Sequence, residues 1–430
     1  MSDQLVALAD DLSGAAEAAV LLAGVHPDGR VARSASVVLG GTPSSVGNVP
    51  SSLRKPPAGD DEVVVMDLDT RDRPGTTAAG DLGSVGFCKV DSLFRGDPGA
   101  LVDRLIEHGR TPIVTTAVPA LGRTLIHGRI LVHGAPLTDS GLLTLEPTMT
   151  GDVLGQLGRE RTKTVPLETV RGPRQALIAA LDLRSSSDSD DEQRVVLVDA
   201  ENDHDLDAVV SAAQALPTPV LVGAGGLAAA VGRRATAGTP LPHDAPSAHQ
   251  PGPSLVVVGT ASASATAQLR VLADAGVPVL PIPRAVLLDA LVDHEVRDID
   301  HPALLAVRAA RNAGTVAITL EDREVPTPHL SRRLAAGLGV VASTLAGSCN
   351  LVLTGGETAR RTLDHLGVDR LRLERVLDHG CVLGVTATGR GVVTRPGSFG
   401  APDNLLLAVR ALGDAVPGAA APNPRKAALA

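Results

Sequence analysis

Short β-branched runs recur almost throughout this chain, alternating with stretches rich in alanine and leucine. LVALA (5–9), VVVMDLD (63–69), PIVTTAV (112–118), VVLVDA (195–200) and PVLVG (219–223) read as buried strands, and helices follow at 14–24, 97–108, 205–215 and 226–234. This rhythm constrains the fold more than any single motif, because parallel strands need a crossover between them and that crossover is usually a helix. At 430 residues the chain exceeds one ordinary core, so two α/β domains with mostly parallel sheets are expected. TAGTPLPHDAPSAHQPGP (236–253) carries neither the strand nor the helix period and reads as a linker, with His243 and His249 exposed in it. It divides an N-terminal domain (1–235) from a C-terminal one (254–415), leaving 416–430 as a disordered tail. The rhythm restarts with LVVVG (255–259), VPVLPI (277–282), TVAITL (315–320) and NLVLTGG (350–356), and ends in a β-rich stretch at 381–400. LRSSSDSDDEQ (183–193) reads as an acidic surface loop.

Composition narrows the function. Tryptophan and tyrosine are absent and only Phe87, Phe94 and Phe399 are aromatic, so the core must be built from Val, Leu, Ile and Ala. A net charge of −9 and the lack of stacking aromatics argue against a nucleic-acid partner. Cys88, Cys349 and Cys381 are odd in number and unpatterned, as reduced thiols would be. The N-terminus lacks the basic and apolar regions of a signal peptide, and no 18-residue apolar run exists. The expectation is a cytoplasmic protein without a membrane partner. A homodimer is compatible with the sequence, which does not fix the oligomeric state.

Chemistry concentrates at strand ends, where open α/β sheets bind ligands. Asp10 and Asp11 follow the first strand, and Ser13-Gly14 opens a helix. An aspartate there caps a helix well, but a pair exceeds what capping needs and could orient a hydroxyl or take its proton. Asp67, Asp69 and Arg71 stand past another strand, with alternation placing the two aspartates on one face. KVDSLFRGDPGA gathers Lys89, Asp91, Ser92 and Arg95 before Gly96. Two cations suit a carboxylate ligand, and Asp97-Pro98 starts a helix. Arg123 lies in a loop before an apparent hairpin at 126–137.

The second half offers turns rather than charges. GTASASATAQ (259–268) is a hydroxyl-rich turn opening a helix, and LTGGETA (353–359) and RPGSFG (395–400) are glycine turns. Each is ordinary turn chemistry alone, but three in one domain suggest a phosphate cradle of backbone N–H groups. An acid-gripping half joined to a phosphate-gripping half reads as a kinase of a small hydroxy acid. GAGGLAA (223–229) fits a dinucleotide fingerprint and keeps a nicotinamide oxidoreductase open. Its acidic partner would be Asp244, which no strand precedes. A tight strand-to-helix turn is the simpler reading. A P-loop, the protein-kinase motifs, and the spaced His and Cys pairs of zinc sites are all absent.

Taken in order, ADDLSGA, DLDTR, KVDSLFRGDPGA, VPALGRTLIHGRILVHGAPL, GAGGLA, GTASASAT, LTGGETA and RPGSFG resemble the four-carbon acid sugar kinase family, from about residue 5 to about 410. The resemblance implies ATP-dependent phosphorylation of a hydroxyl of threonate, erythronate or 3-oxo-tetronate, with Mg²⁺ beside the triphosphate. The active site would lie in the interdomain cleft. Carried over, Asp10, Asp11 and Arg95 would be catalytic, and Arg71, Lys89, Asp91 and Arg123 would bind the acid. Ser262, Gly355, Gly356, Glu357, Thr358, Gly397 and Gly400 would contact ATP. Departures from the family pattern are Ser13 for a threonine, Leu93-Phe94 for a Thr-Leu pair, Ala261 and Ala263 in the serine turn, and Arg395 for a late lysine. A non-catalytic sugar-acid sensor therefore stays open as well.

Overall fold

The computed structural model describes residues 5–40, 62–71, 73, 82–140, 149–184, 193–237, 248–292, 296, 298–321, 327–397 and 400–413. Most of the expected linker, with His243, most of the acidic loop and the tail lie outside the described residues. In the N-terminal half, β1 (Leu5–Ala9), α1 (Leu12–Ala23), β2 (Arg30–Leu39), β3 (Glu62–Asp67) and β4 (Val85–Lys89) come first. α2 (Pro98–Glu107) and β5 (Thr111–Thr115) precede a small separate sheet of β6 (Arg123–Ile126), β7 (Arg129–Val132) and β8 (Ala135–Pro136). Then come α3 (Val153–Leu157), β9 (Thr162–Val165), α4 (Leu167–Val170), α5 (Arg174–Leu181), β10 (Val195–Val198), α6 (Asp203–Ala213), β11 (Pro219–Gly223) and α7 (Gly225–Ala235).

The C-terminal half opens with β12 (Ser254–Val258), α8 (Ala263–Asp274), β13 (Val279–Ile282), α9 (Arg284–Asp289), α10 (Pro302–Ala313) and β14 (Val316–Leu320). It continues with α11 (Pro328–Leu345), β15 (Asn350–Thr354) and α12 (Gly356–His365). It closes with β16 (Arg370–Asp378), β17 (Cys381–Val385), β18 (Gly391–Arg395) and α13 (Asn404–Ala411).

The two halves use the same topological device. β3 and β4 are consecutive in the chain yet lie on either side of β1, and β14 and β15 likewise flank β12. Each arrangement makes a crevice beyond the carboxyl ends of the central strand, the place where open α/β sheets take ligands. Both sheets are mostly parallel, and they are fused. β2 pairs in parallel with β3 and antiparallel with β16, so one fifteen-stranded sheet runs through both halves.

This seam makes the strands of the two halves run in opposite nominal directions. Six inter-strand steps separate β15 from β1. At about 20–25° of twist per step they turn the sheet by roughly 120–150°, which undoes most of the reversal. The two carboxyl edges are thereby brought towards each other.

α1 packs over the seam against β2, β3 and β16, with ten of its twelve residues buried, including a run of alanines that lets neighbours approach closely. Gly232 of α7 packs so tightly that a Cβ there would fall 1.9 Å from the Leu21 carbonyl oxygen. One core cluster contains Ala15, Ala19 and Leu22 of α1 together with Leu255, Val257 and Leu338 of the other half. With few aromatics, cohesion comes from many small side chains, each buried Val or Leu contributing roughly 1.5–3 kcal/mol. His249, expected to be exposed, is buried 3.9 Å from the Glu374 carboxylate, because the end of the linker folds back on β16, where the Ala248 amide also donates to Glu374. Cys88, Cys349 and Cys381 are free and buried. Burial pushes the Cys88 and Cys381 thiols up to about 12. Among the described residues, no helix is long and apolar enough to cross a membrane.

Candidate active site

β1 delivers Asp10 and Asp11 to the first crevice. Asp11 is the N-cap of α1, its Oδ1 accepting from the Gly14 amide at 2.9 Å. Capping thus accounts for one oxygen of the aspartate pair. Gly14 is where the pocket converges: a Cβ there would lie 2.6 Å from Asp11 Oδ1, 3.3 Å from Lys89 Nζ and 3.5 Å from Arg71 Nη2. A side chain there would drive Asp11 Oδ1 aside and press on the Lys89 ammonium.

Arg71 forks onto Asp10, donating from Nε at 2.8 Å and Nη2 at 2.6 Å, and the same Nη2 sits 2.7 Å from Asp11. Burial raises the Asp10 carboxyl above its ordinary value and Asp11 adds to the rise, with Arg71 and Lys89 pulling the other way. Burial alone would lower the Arg71 pKa, but the Asp10, Asp11 and Asp91 carboxylates hold it well above its usual value.

Lys89, at the end of β4, is buried and lies 3.3 Å from the Glu17 carboxylate, which also faces His379 at 3.5 Å. Asp91 accepts from the Leu93 amide and takes a two-pronged bond from Arg95 at 2.9 and 2.8 Å. Burial would raise the Asp91 pKa, but Arg95, with Arg71 and Lys89, holds the carboxyl well below the usual range. Arg123 Nη1 donates to Ser92 Oγ. Leu93 and Phe94 pack into the core, Phe94 at a φ of 61°. Gly96 abuts Arg71, since a Cβ there would meet the Arg71 carbonyl oxygen at 3.2 Å. Asp10, Asp11, Arg71, Lys89, Asp91, Arg95 and Arg123 therefore gather at one sheet edge.

The second crevice is lined differently. Ser262 caps α8 by accepting from the Ala265 amide, and its hydroxyl donates to the Gly397 carbonyl at 2.9 Å. Gly355 has a φ of 92° that suits glycine, and nothing lies within 4 Å of the Cβ it lacks. A Cβ on Gly397 would lie 3.6 Å from the Gly355 Cα, so the serine turn and both glycine turns touch. Gly400, at a φ of 114°, accepts from Ser264 and Gln268 behind this surface. Glu357 and Thr358 face elsewhere: Glu357 accepts from Arg361 at 2.9 Å, and buried Thr358 donates to the Ala335 carbonyl.

The crevices meet at Gly356. A Cβ at that position would stand 2.6 Å from Asp11 Oδ2, so the carboxylate of one half touches the glycine turn of the other. Two adjacent arginines of α12 reinforce the junction. Arg360 Nη1 donates to Asp67 at 2.9 Å and Arg361 Nη2 to Asp69 at 2.8 Å. Burial pushes the Asp67 carboxyl up to about 7 despite Arg360, with Asp69 and Asp11 adding to the rise.

Glu17, His379, Arg360 and Arg361 are absent from the residues that the sequence singles out. Glu17 left one signal, as the sole charge in LSGAAEAAVLLA. The glycines of GAGGLA serve packing. A Cβ on Gly226 would lie 2.4 Å from the Ala117 carbonyl, and one on Gly225 would lie 3.0 Å from the Glu17 carboxylate, a poor neighbour for a pyrophosphate.

A family model described as a sugar-binding N-terminal domain matches residues 5–231, and one described as a nucleotide-binding C-terminal domain matches residues 255–405. The chain is 31% identical to a D-threonate kinase of Cupriavidus necator, over 94% of its own length and 97% of that protein's. It is 27% identical to a 3-oxo-tetronate kinase of the same species, over 76% and 78% of the two lengths. A solved Salmonella typhimurium structure matches with a TM-score of 0.67 at 18% identity, covering 95% of this chain and 99% of that one, a likeness of fold.

Proposed function

Because the chain belongs to the four-carbon acid sugar kinase family, we propose that it transfers the γ-phosphoryl group of ATP to a hydroxyl of a four-carbon acid sugar, with D-threonate the first acid to test. The observation that carries this reading is the approach of Asp11 Oδ2 to the Gly356 position, which gives an acid-binding edge and a phosphate-binding turn a common surface. Phosphoryl transfer asks little of a protein beyond positioning and charge neutralisation, and both are on offer.

In this reading residues 1–235 hold the acid and 254–415 the nucleotide. Arg71, Lys89, Arg95 and Arg123 face the acid carboxylate, with Asp91 holding Arg95 in place. Asp11 orients the attacking hydroxyl and Asp10 supports it through Arg71. The amides of the Gly355–Gly356 turn and the start of α12 receive phosphate oxygens, and Gly397 and Ser262 shape the opposite wall. Glu357 and Thr358 act by holding α12 rather than by touching the nucleotide.

Among the described residues no group of three or more His, Cys, Asp or Glu could hold a metal ion. Magnesium needs no such cage, since it takes one or two carboxylates and completes its shell with waters and phosphates. Asp11 fits that part, and a bound Mg²⁺ would neutralise triphosphate charge. The test is release of ADP in the presence of ATP, Mg²⁺ and D-threonate, D-erythronate or their 3-oxo forms. Acid-dependent release with a phosphorylated acid as product supports the reading. A purified chain that releases no ADP with any of them overturns it.

A further inference from the structure

Every second residue of the DLDTR segment that ends β3 and runs on from it makes a different long-range ion pair. Asp67 meets Arg360, Asp69 meets Arg361, and Arg71 meets Asp10 and Asp11. The segment is itself pinned, because the amides of Thr70 and Arg71 both donate to the Asp10 carbonyl, at 2.9 and 3.0 Å. Its two aspartates thus hold α12 of one half while its arginine holds the carboxylate pair of the other. α12 begins at Gly356, whose missing Cβ is the room Asp11 occupies.

Simple adhesion does not explain this construction. Arg360 is 2% exposed and Asp67 not at all, and a buried ion pair holds a fold no better than apolar side chains of the same size. What ion pairs provide, and grease does not, is a fixed register. Arg360 also donates to the Gly40 carbonyl at 2.5 Å and to Asp364 at 2.8 Å, while Arg361 reaches Glu357 and Asp364. Rotation or sliding of α12 along its axis would break the bonds to Asp67, Asp69 and Gly40 at once, while the bonds to Glu357 and Asp364, inside α12, hold the two guanidinium groups in place.

We propose that Asp67 and Asp69, acting through Arg360 and Arg361, are positioning residues that set the glycine turn against Asp11 and so align the phosphoryl donor with the acid. This rests on the kinase reading above. The clasp touches neither ligand, so its loss misaligns two substrates that still bind. Water then competes with the acid hydroxyl for the phosphoryl group.

The experiment uses Asp69→Asn, Arg361→Gln and the double variant in the full chain, at pH 8, with ATP, Mg²⁺ and the preferred acid. Each variant is expected to lose about 10- to 100-fold in kcat while KM for acid and nucleotide stays within about threefold. The ratio of ADP formed to acid phosphorylated should rise above that of the wild type. The loss in the double variant should fall short of the product of the two single losses, because the residues share one contact. Asp69→Glu should recover part of the rate. A partly unfolded preparation lowers kcat but leaves the ADP-to-product ratio unchanged, so the ratio separates positioning from damage. An unchanged ratio in folded Asp69→Asn and Arg361→Gln overturns the proposal. Wild-type protein that phosphorylates no acid overturns the kinase reading and the clasp with it.

Discussion

Around β1 the ligand edge is built of charge, and around β12 it is built of backbone. Asp10 and Asp11 with Arg71, Glu17 with Lys89, and Asp91 with Arg95 form paired contacts, whereas Ser262, Gly355, Gly356 and Gly397 offer a hydroxyl, amides and empty space. The same switch-point topology serves both edges, so fold alone does not decide the difference. On the proposed function, the contrast follows from what each would hold. A small hydroxy acid presents one carboxylate and must be recognised by directed side chains. A polyphosphate presents many equivalent oxygens, and a row of N–H groups at a helix start meets them without side-chain entropy to lose. The first site should therefore fail when a side chain is removed, and the second when one is added.

The largest effect expected is at the junction. Gly356→Val drives a side chain into Asp11 and should lower turnover on the order of 10²- to 10³-fold, with nucleotide affinity lost by calorimetry. Retained affinity would break the contrast outright. Next is Arg71→Ala, which leaves two carboxylates facing each other and should cost about 10²-fold in kcat/KM for the acid. Arg71→Lys should recover little, because an ammonium cannot fork. Arg95→Ala should cost about 10- to 100-fold in kcat/KM for the acid. An unaltered rate would remove Arg95 from the site.

Asp67 supplies a pH test of the junction. Its folded carboxyl is pushed up to about 7 from an ordinary 3.8, so the folded state keeps a proton that the unfolded chain releases between those values. Stability should fall as pH rises through that window, by up to roughly 1 kcal/mol per unit. Asp67→Asn should flatten the slope in denaturant titrations at pH 5, 6 and 7. A wild-type slope equal to that of the variant contradicts the assignment. The smallest effect is at the neighbouring glycine. Gly355→Ala meets no atom but forces a φ of 92° on alanine, costing about 1 kcal/mol of stability. Nucleotide affinity should move only a few-fold, in contrast to Gly356→Val.

Much of this was legible locally. β1 and β11 fall where their β-branched runs lie, and the three turns of the second half meet as their glycines and hydroxyls suggested. What was not legible is what joins distant residues. β2 begins with RVARS, half polar and half exposed, and β16 reads RLRLERVLD, so neither stands out as a buried strand. Each becomes a strand because the other completes its ladder more than 330 positions away. Nothing in the local sequence singles out Arg360 and Arg361, for the same reason. Their partners lie 293 and 292 positions earlier, and no local pattern reports a contact of that range. The gathering of Asp10, Asp11, Arg71, Asp91 and Arg95 was legible because they sit at or just past strand ends, which topology gathers by rule.

The seam between β2 and β16 has a consequence for how the chain is made. Until the ribosome has released residues 370–378, the newly emerged β2 has no partner along one side and stands as a raw edge. Roughly four-fifths of synthesis must pass before that edge is covered, a long interval for a nascent chain that other strands could invade. A gene split at the linker should accordingly yield two sticky fragments rather than two independent proteins.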